Sequence, residues 1–236
     1  MPWYYAVAES RHELQNPTSA EKIRLLGETL GLDSSSRALD IASGRGGPAL
    51  ILAREFGCHI VGVERAPEFV AAARERVAEA GLVDLVELVE LDAATFDVGR
   101  EQWDAALCLG ASFVWGNVRD AVEALLPSVR PRGHVAVGEP FWRTLPLPEG
   151  VDDRGFVSFA DTVARFEAPG LTLTAVIAAS DDDWDRYESL HWAALEEWLA
   201  AHPDDDEIRT ERDRKRREYD ATRGLLGWAI LVGRKR

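Results

Sequence analysis

Three carboxylates, Asp40, Glu64 and Asp92, stand at or near the ends of three successive apolar runs, "RALDIA", "HIVGVE" and "LVELVEL". The first run passes directly into "SGRGGPAL", where Gly44, Gly46 and Gly47 crowd a single turn. A strand that stops in a glycine-rich turn and restarts as a helix can aim free backbone N–H groups at a polar ligand. Acids on neighbouring strand ends can hold the hydroxyls and amino groups of a nucleoside, a service that a plain turn does not need. The spacing leaves two nucleotide chemistries open. Gly44, Gly46 and Ala49 fit the relaxed dinucleotide pattern G-x-G-x-x-A, with Glu64 about 20 residues on, where an acid would hold a ribose hydroxyl. That pattern suits an NAD(P)-dependent oxidoreductase. Asp40, Glu64 and Asp92 together suit an adenosine that carries an amino-acid tail.

The carboxylates act together only if the chain brings their strands side by side. Thr18 and Glu21 have capping-box spacing, and Ile23, Leu26 and Leu30 recur at helical intervals before Gly31, so a helix precedes the first strand. After "RALDIA" comes a helix opened by Pro48, whose missing N–H costs nothing in a first turn. The alternation continues through strand "HIVGVE", a helix from Pro67 to about Ala80, strands "LVELVEL" and "WDAALCLG", a helix from about Val118 to Val129, and strand "GHVAVGE". Strands alternating with helices predict a parallel sheet covered on both faces. Such sheets bind ligands beyond the carboxyl ends of their strands, where the strand order reverses. Further on, "FADTVARFEAPG" reads as a helix and "LTLTAVIAAS" as a strand. "DDDWDRYESLHWAALEEWLAAH" reads as an acid-led helix with Trp184, Tyr187, His191, Leu195 and Trp198 on one face. A charged helix and a last strand, "LGWAILVG", follow.

The expected architecture is α/β, a three-layer Rossmann-like sheet of seven mostly parallel strands with the last antiparallel and helices inserted between strands six and seven. One domain should span 1–236, with an N-terminal helical segment at 1–36, a cofactor-binding core at 37–140, and a helical insertion at 180–223 covering the substrate side.

With 236 residues, 46% of them hydrophobic, the chain can bury a core without staples. No apolar run approaches the roughly 20 residues of a membrane span, and the start "MPWYYAVAESRHEL" lacks a cationic segment leading into an apolar one, so a cytoplasmic protein is expected. Cys58 and Cys108 lie in strand-like runs and make neither a disulfide framework nor a zinc motif. A net charge of −14 argues against holding nucleic acid. The mixed-sign run from Arg209 to Asp220 reads as a solvated helix face.

With these motifs the sequence resembles the class I S-adenosylmethionine-dependent methyltransferases from "LQNPTSAEK" to the last strand. "LGASFVWG", "GEPFWR" and "DDDWDRYESLHW" are similar to a narrower bacterial group acting on small molecules of unassigned identity. The resemblance implies S-adenosyl-L-methionine as cofactor and S-adenosyl-L-homocysteine as product. It implies that Asp40, Ser43, Gly44 and Gly46 surround the methionine end, with Ala42 in the same turn. Glu64 would accept from both ribose hydroxyls, Arg65 would flank the adenine, and Asp92 with Ala93 would meet the adenine edge. Leu109 and Gly110 would line the cofactor near the transferable methyl. The family usually carries glycine where this chain has Ala42, and often cysteine where it has Ser43.

Methyl transfer is an in-line displacement, so the protein must chiefly orient a nucleophile, exclude water and remove a proton where the nucleophile carries one. The nucleic-acid amino-methylating motif and a Pro-Cys nucleophile are both missing after the fourth strand, and Gly110 and Ala111 offer no acid for magnesium. A metal-free enzyme with a small-molecule acceptor is expected, as monomer or homodimer. Its acceptor pocket would draw Tyr4, Tyr5, Trp115, Phe141, Trp142 and Tyr187 from the N-terminal segment, the turn at 111–117, the loop after Glu139 and the inserted helices, whereas Trp184 and Trp198 read as core. Candidate general bases are Glu139, His191 and His12, the last beside "LQNP", a segment able to fold over the cofactor. A protein that binds S-adenosylmethionine without catalysis would carry the same motifs.

Overall fold

The structure, a computed structural model, describes residues 3–236. Seven strands, β1 (Arg37–Ile41), β2 (His59–Glu64), β3 (Val86–Glu90), β4 (Trp103–Leu109), β5 (Val129–Trp142), β6 (Leu171–Ala178) and β7 (Leu226–Lys235), form one sheet in the order β3-β2-β1-β4-β5-β7-β6. The first five are parallel to one another, and β7 runs antiparallel to both β5 and β6. This is the Rossmann-like arrangement that the alternation of strands and helices predicts. The strand order reverses between β1 and β4, so a crevice opens beyond their carboxyl ends.

Side chains alternate across the sheet and divide the core in two. Ala38, Leu107, Leu109 and Ile230 pack on one face with α2 (Ala20–Leu30) and α3 (Gly47–Phe56). Leu39, Ile41, Cys108 and Leu231 pack on the other with α5 (Val118–Leu125) and α6 (Phe159–Glu167). Asp40 shares the first face with Ala38, at the end of a strand otherwise buried in hydrocarbon. Both cysteines are free and buried.

Three boundaries differ from the sequence reading. The N-cap of α2 is Ser19, whose hydroxyl accepts from the Lys22 N–H, while Thr18 is buried one residue earlier. Helix α5 stops at Leu125, and a 3-10 turn at Leu126–Ser128 carries the chain past Pro127 into β5, because Pro127 has no N–H with which to continue the helical ladder. Strand β5 continues past Glu139 to Trp142, paired throughout with β7.

The remaining helices are α1 (Tyr4–Ala8), α4 (Pro67–Glu79), α7 (Asp181–Ala201) and α8 (Asp206–Thr222). Ser180 and Asp183 close a capping box on α7. Helix α1 packs against α7 and α8 through Ala8, Leu195, Leu199 and Ile208, so the amino terminus and the insertion form one cover above the sheet. Among the described residues no helix is long and apolar enough to cross a membrane.

Candidate functional site

A cavity of about 310 Å³ lies at the β1/β4 switch point. Asp40, Ala42, Ser43, Gly44, Glu64, Arg65, Asp92, Ala93, Leu109 and Gly110 all line it, so the carboxylates at the ends of β1, β2 and β3 share one cleft. Gly46 stands behind the turn instead. Its φ is +73°, and a Cβ there would lie 3.2 Å from that of Ala73, so its role is to seat the turn on α4.

The carboxylates differ in what they have left to give. Glu64 accepts from Gly44 N–H at 3.0 Å on one oxygen, and from Arg65 and Ala66 N–H at 2.9 and 2.8 Å on the other. Three of the roughly four acceptor directions of a carboxylate are thus occupied by backbone. Asp40 is buried with Oδ2 unpartnered. Burial and then the Glu64 charge raise its carboxyl to about 7. Asp92 accepts from Ala94 N–H at 2.9 Å and faces Arg65 across 3.6 Å at the rim.

Ala42 holds a left-handed φ of +53°. An L side chain there costs about 1 to 2 kcal/mol. Ala42→Gly is therefore expected to stabilise the fold by about 1 kcal/mol in urea unfolding. An unchanged or lowered midpoint would show that the turn carries no strain.

Residues 13–16 roof the cavity. Gln15 Oε1 accepts from Arg45 N–H at 2.7 Å, Asn16 Nδ2 donates to the Leu109 carbonyl at 2.9 Å, and Arg76 donates to the Glu13 carbonyl at 3.3 Å. Three glycines make room for this roof. A Cβ at Gly44, Gly47 or Gly110 would lie 2.1, 2.0 and 2.1 Å from Gln15 Oε1, the Glu13 carbonyl oxygen and Asn16 Oδ1.

A family model described as a methyltransferase domain matches residues 38–133. The uncharacterized protein YjhP of Escherichia coli strain K12 is 33% identical, with 98% of each chain covered. Crystal structures of S-adenosylmethionine-dependent methyltransferases from Thiobacillus denitrificans and Geobacter sulfurreducens, each in complex with S-adenosyl-L-homocysteine, are both 32% identical over 100% of this chain and 99% of theirs, with TM-scores of 0.92 and 0.93. This chain belongs to the S-adenosylmethionine-dependent methyltransferases. Membership decides between the two nucleotide chemistries that the glycine spacing left open.

The methyltransferase has a second cavity, of about 290 Å³, above the end of β5 and walled by α1, α7, α8 and the segment around Phe156. Tyr5 lines both cavities, and Tyr187 lines the second. The other aromatic expectations need correction. Trp142 is fully buried, its indole N–H donated to the Asp153 carbonyl at 3.0 Å, because β5 runs on through it. Phe141 packs on Phe159 with ring centroids 4.9 Å apart, Trp115 packs on the lower core, and Tyr4 packs with the α1/α7/α8 cluster. None of these four lines either cavity. Trp184 packs against the core, as its helical spacing predicts, and also lines the second cavity, as do Arg214, Lys215, Glu218 and Tyr219 from the run expected to be a solvated face.

The candidate bases fall into two groups. Glu139 accepts from the Ser112 hydroxyl at 2.7 Å, and burial, against that hydrogen bond, lifts its carboxyl to about 7. Glu139 itself lines neither cavity, although Ala111 and Phe113 beside its partner line the first and its neighbour Pro140 lines the second. His12 and His191 instead converge on Glu9, which the sequence reading missed. His191 Nε2 lies 2.8 Å from Glu9 Oε1, His12 Nδ1 lies 3.4 Å from Oε2, and the Tyr187 hydroxyl donates to Oε1 at 3.3 Å. Burial works against charge here. For Glu9 the hydrogen bond and charge of His191 outweigh burial and hold the carboxyl low, whereas His191 is raised by Glu188 and Glu9 despite burial. Burial keeps His12 low, with its Nε2–H placed on the Tyr187 carbonyl at 2.9 Å. Among the described residues these three side chains are the group whose spacing could hold a metal ion, but charge pairing already accounts for Glu9 and His191.

Glu13, Gln15, Asn16, Phe69 and Phe113 also line the first cavity. "LQNP" signalled two of them, and the i, i+3 spacing of Glu9 and His12 was the available clue to the buried cluster.

Proposed function

We propose that this cytoplasmic methyltransferase passes a methyl group to a small molecule held in the second cavity, with no metal at the reaction centre. The observation that carries this reading is the pair of adjoining cavities at the strand ends that share Tyr5. The first fits S-adenosylmethionine in its donors and acceptors. Asp40 Oδ2 and Ser43 Oγ are buried there without partners, a match for the ammonium of an amino-acid tail. Glu64 keeps one acceptor direction for a ribose hydroxyl, and Arg65 with Asp92 frames the place of the adenine. Bound S-adenosylmethionine supplies a methyl activated by its sulfonium.

The chain supplies the rest. Residues 13–16 cover the first cavity, Tyr5 borders the line of approach, and Glu139, one residue before Pro140 of the second cavity, is the base we assign to an acceptor that must lose a proton. The end of β4, Gly110 and Ala111, offers no side-chain oxygen to a cation, which supports metal-independent chemistry. The −14 charge suits a small acceptor better than a nucleic acid.

Calorimetry with S-adenosylmethionine and S-adenosylhomocysteine tests the reading, and binding of neither would remove it. Glu64→Ala is expected to weaken binding by about 1 to 3 kcal/mol, and an unchanged affinity would place the ribose elsewhere. The pH dependence has a definite sign. An ammonium beside Asp40 favours its ionised form, so affinity should rise as pH climbs through about 7 and then level off.

A further inference from the structure

The groups left without partners around the second cavity define its occupant. Each of its carboxylates is already answered. Asp181 pairs with Arg143 at 3.0 Å, Asp185 with Arg223 at 2.9 Å, Glu188 with His191 at 3.4 Å, and Glu218 with Arg154 at 3.3 Å and with Arg214. The three arginines of the lining, Arg154, Arg214 and Arg223, are held by those same acids.

Apart from His191 Nδ1, which meets Glu188 only as an ion pair, and the Tyr5 and Tyr187 hydroxyls, which are directed at Glu9, two groups of the lining remain open, and both are donors. Lys215 has no acidic partner among the described residues, although it stands close enough to the Glu9 cluster to act on Glu9, His12 and His191 electrostatically. The indole N–H of Trp184 is buried without an acceptor. The walls between them are rings: Trp184, Tyr187, Tyr219 and Phe156. A buried donor left unpaired is costly, as at the Trp184 indole, and the half-buried Lys215 ammonium is free to take an anion that enters the cavity. The complement of one ammonium, one neutral N–H and aromatic walls is a flat apolar body bearing a single negative oxygen group. A phosphate dianion would need more cationic partners than Lys215 alone provides.

We infer that the methyl acceptor is a small aromatic carboxylate, its ring against the tryptophan and tyrosines and its carboxylate on Lys215, with its nucleophilic atom turned toward Tyr5 and the cofactor cavity. This inference rests on the methyl-transfer reading above. The carboxylate is the handle, so the nucleophile lies elsewhere on the ring. Where that nucleophile is a hydroxyl, its oxygen gains the methyl, the sulfonium leaves as a neutral thioether, and the hydroxyl proton goes to Glu139.

The test uses the full chain saturated with S-adenosylhomocysteine and a panel of hydroxy- and aminobenzoates, each beside its methyl ester. Binding is read by calorimetry and by tryptophan fluorescence. Benzoates should bind and their esters should bind roughly 10- to 100-fold more weakly. Lys215→Met should erase that preference while leaving affinity for S-adenosylhomocysteine unchanged. Esters binding as well as acids, a preference that survives Lys215→Met, or no benzoate binding at about 10 mM would each overturn the inference. Cofactor-product binding is measured first on the same sample, and its absence would overturn the methyl-transfer reading itself.

Discussion

Glu9→Gln is expected to lower the unfolding free energy by about 1 to 3 kcal/mol near pH 6, because it removes the nearer of the two carboxylates that face the buried His191 imidazolium and leaves only Glu188 at 3.4 Å. Glu9 is fully buried, His191 is 1% exposed, and the two meet at 2.8 Å. The pH window follows from the directions of the two shifts. The carboxyl of Glu9 is depressed on folding, so its contribution is complete above its free value of 4.5 and fades as pH falls. His191 is raised, so its contribution is complete below its free value of 6.5 and fades as pH rises through the folded value. The difference between the two proteins should therefore peak between those values and narrow in alkali. Urea unfolding at several pH values measures it. A loss below about 1 kcal/mol, or one independent of pH, would mean that the cluster is held by packing rather than by charge. Because α1 carries Tyr5 as well as leading into Glu9, the variant should also bind acceptor poorly.

For an acceptor that must lose a proton, Glu139→Gln should slow turnover by about 10²- to 10⁴-fold. The same change should stabilise the fold. A carboxyl whose pKa rises from 4.5 to about 7 on folding resists ionisation in the native state. Stability is thus unaffected at low pH, lost as pH climbs between those values, and constant above about 7. Glutamine keeps an acceptor for the Ser112 hydroxyl and removes that burden, a gain of up to about 3 kcal/mol at pH 8. With saturating cofactor the parent rate should rise through pH 7 and level off, whereas the variant profile should be flat. A variant that turns over at the parent rate would exclude Glu139 as the base. One that is slow without any gain in stability would mean that the carboxyl is not strained by burial.

The cleft at the strand ends was legible because its signals are local. Strand ends, a glycine turn and three acids each sit inside a periodic segment, and parallel order alone brings their ends together. The acceptor side was much less so. Trp142 followed what looked like a strand end, yet β5 runs through it and buries it. Trp184 does pack on the core and α8 does carry a charged face, yet both also reach a cavity that exists only where three separated helices converge. Glu9 lay ahead of every recognisable element, and its importance comes from partners on α7 more than 170 residues away, a relation that no window of sequence contains.

The roof over the cofactor cavity bears on what counts as the working unit of this protein. Bare backbone in a glycine turn is usually read as space reserved for a small molecule, but at Gly44, Gly47 and Gly110 it is space reserved for the protein's own residues 13–16. The stretch shared with the family model begins at residue 38. A fragment cut there would keep all three carboxylates and Gly44, Gly47 and Gly110, yet would hold an open trough without Tyr5, Gln15 and Asn16. The smallest competent piece of the chain is therefore set by its first helix, well upstream of its most recognisable motif.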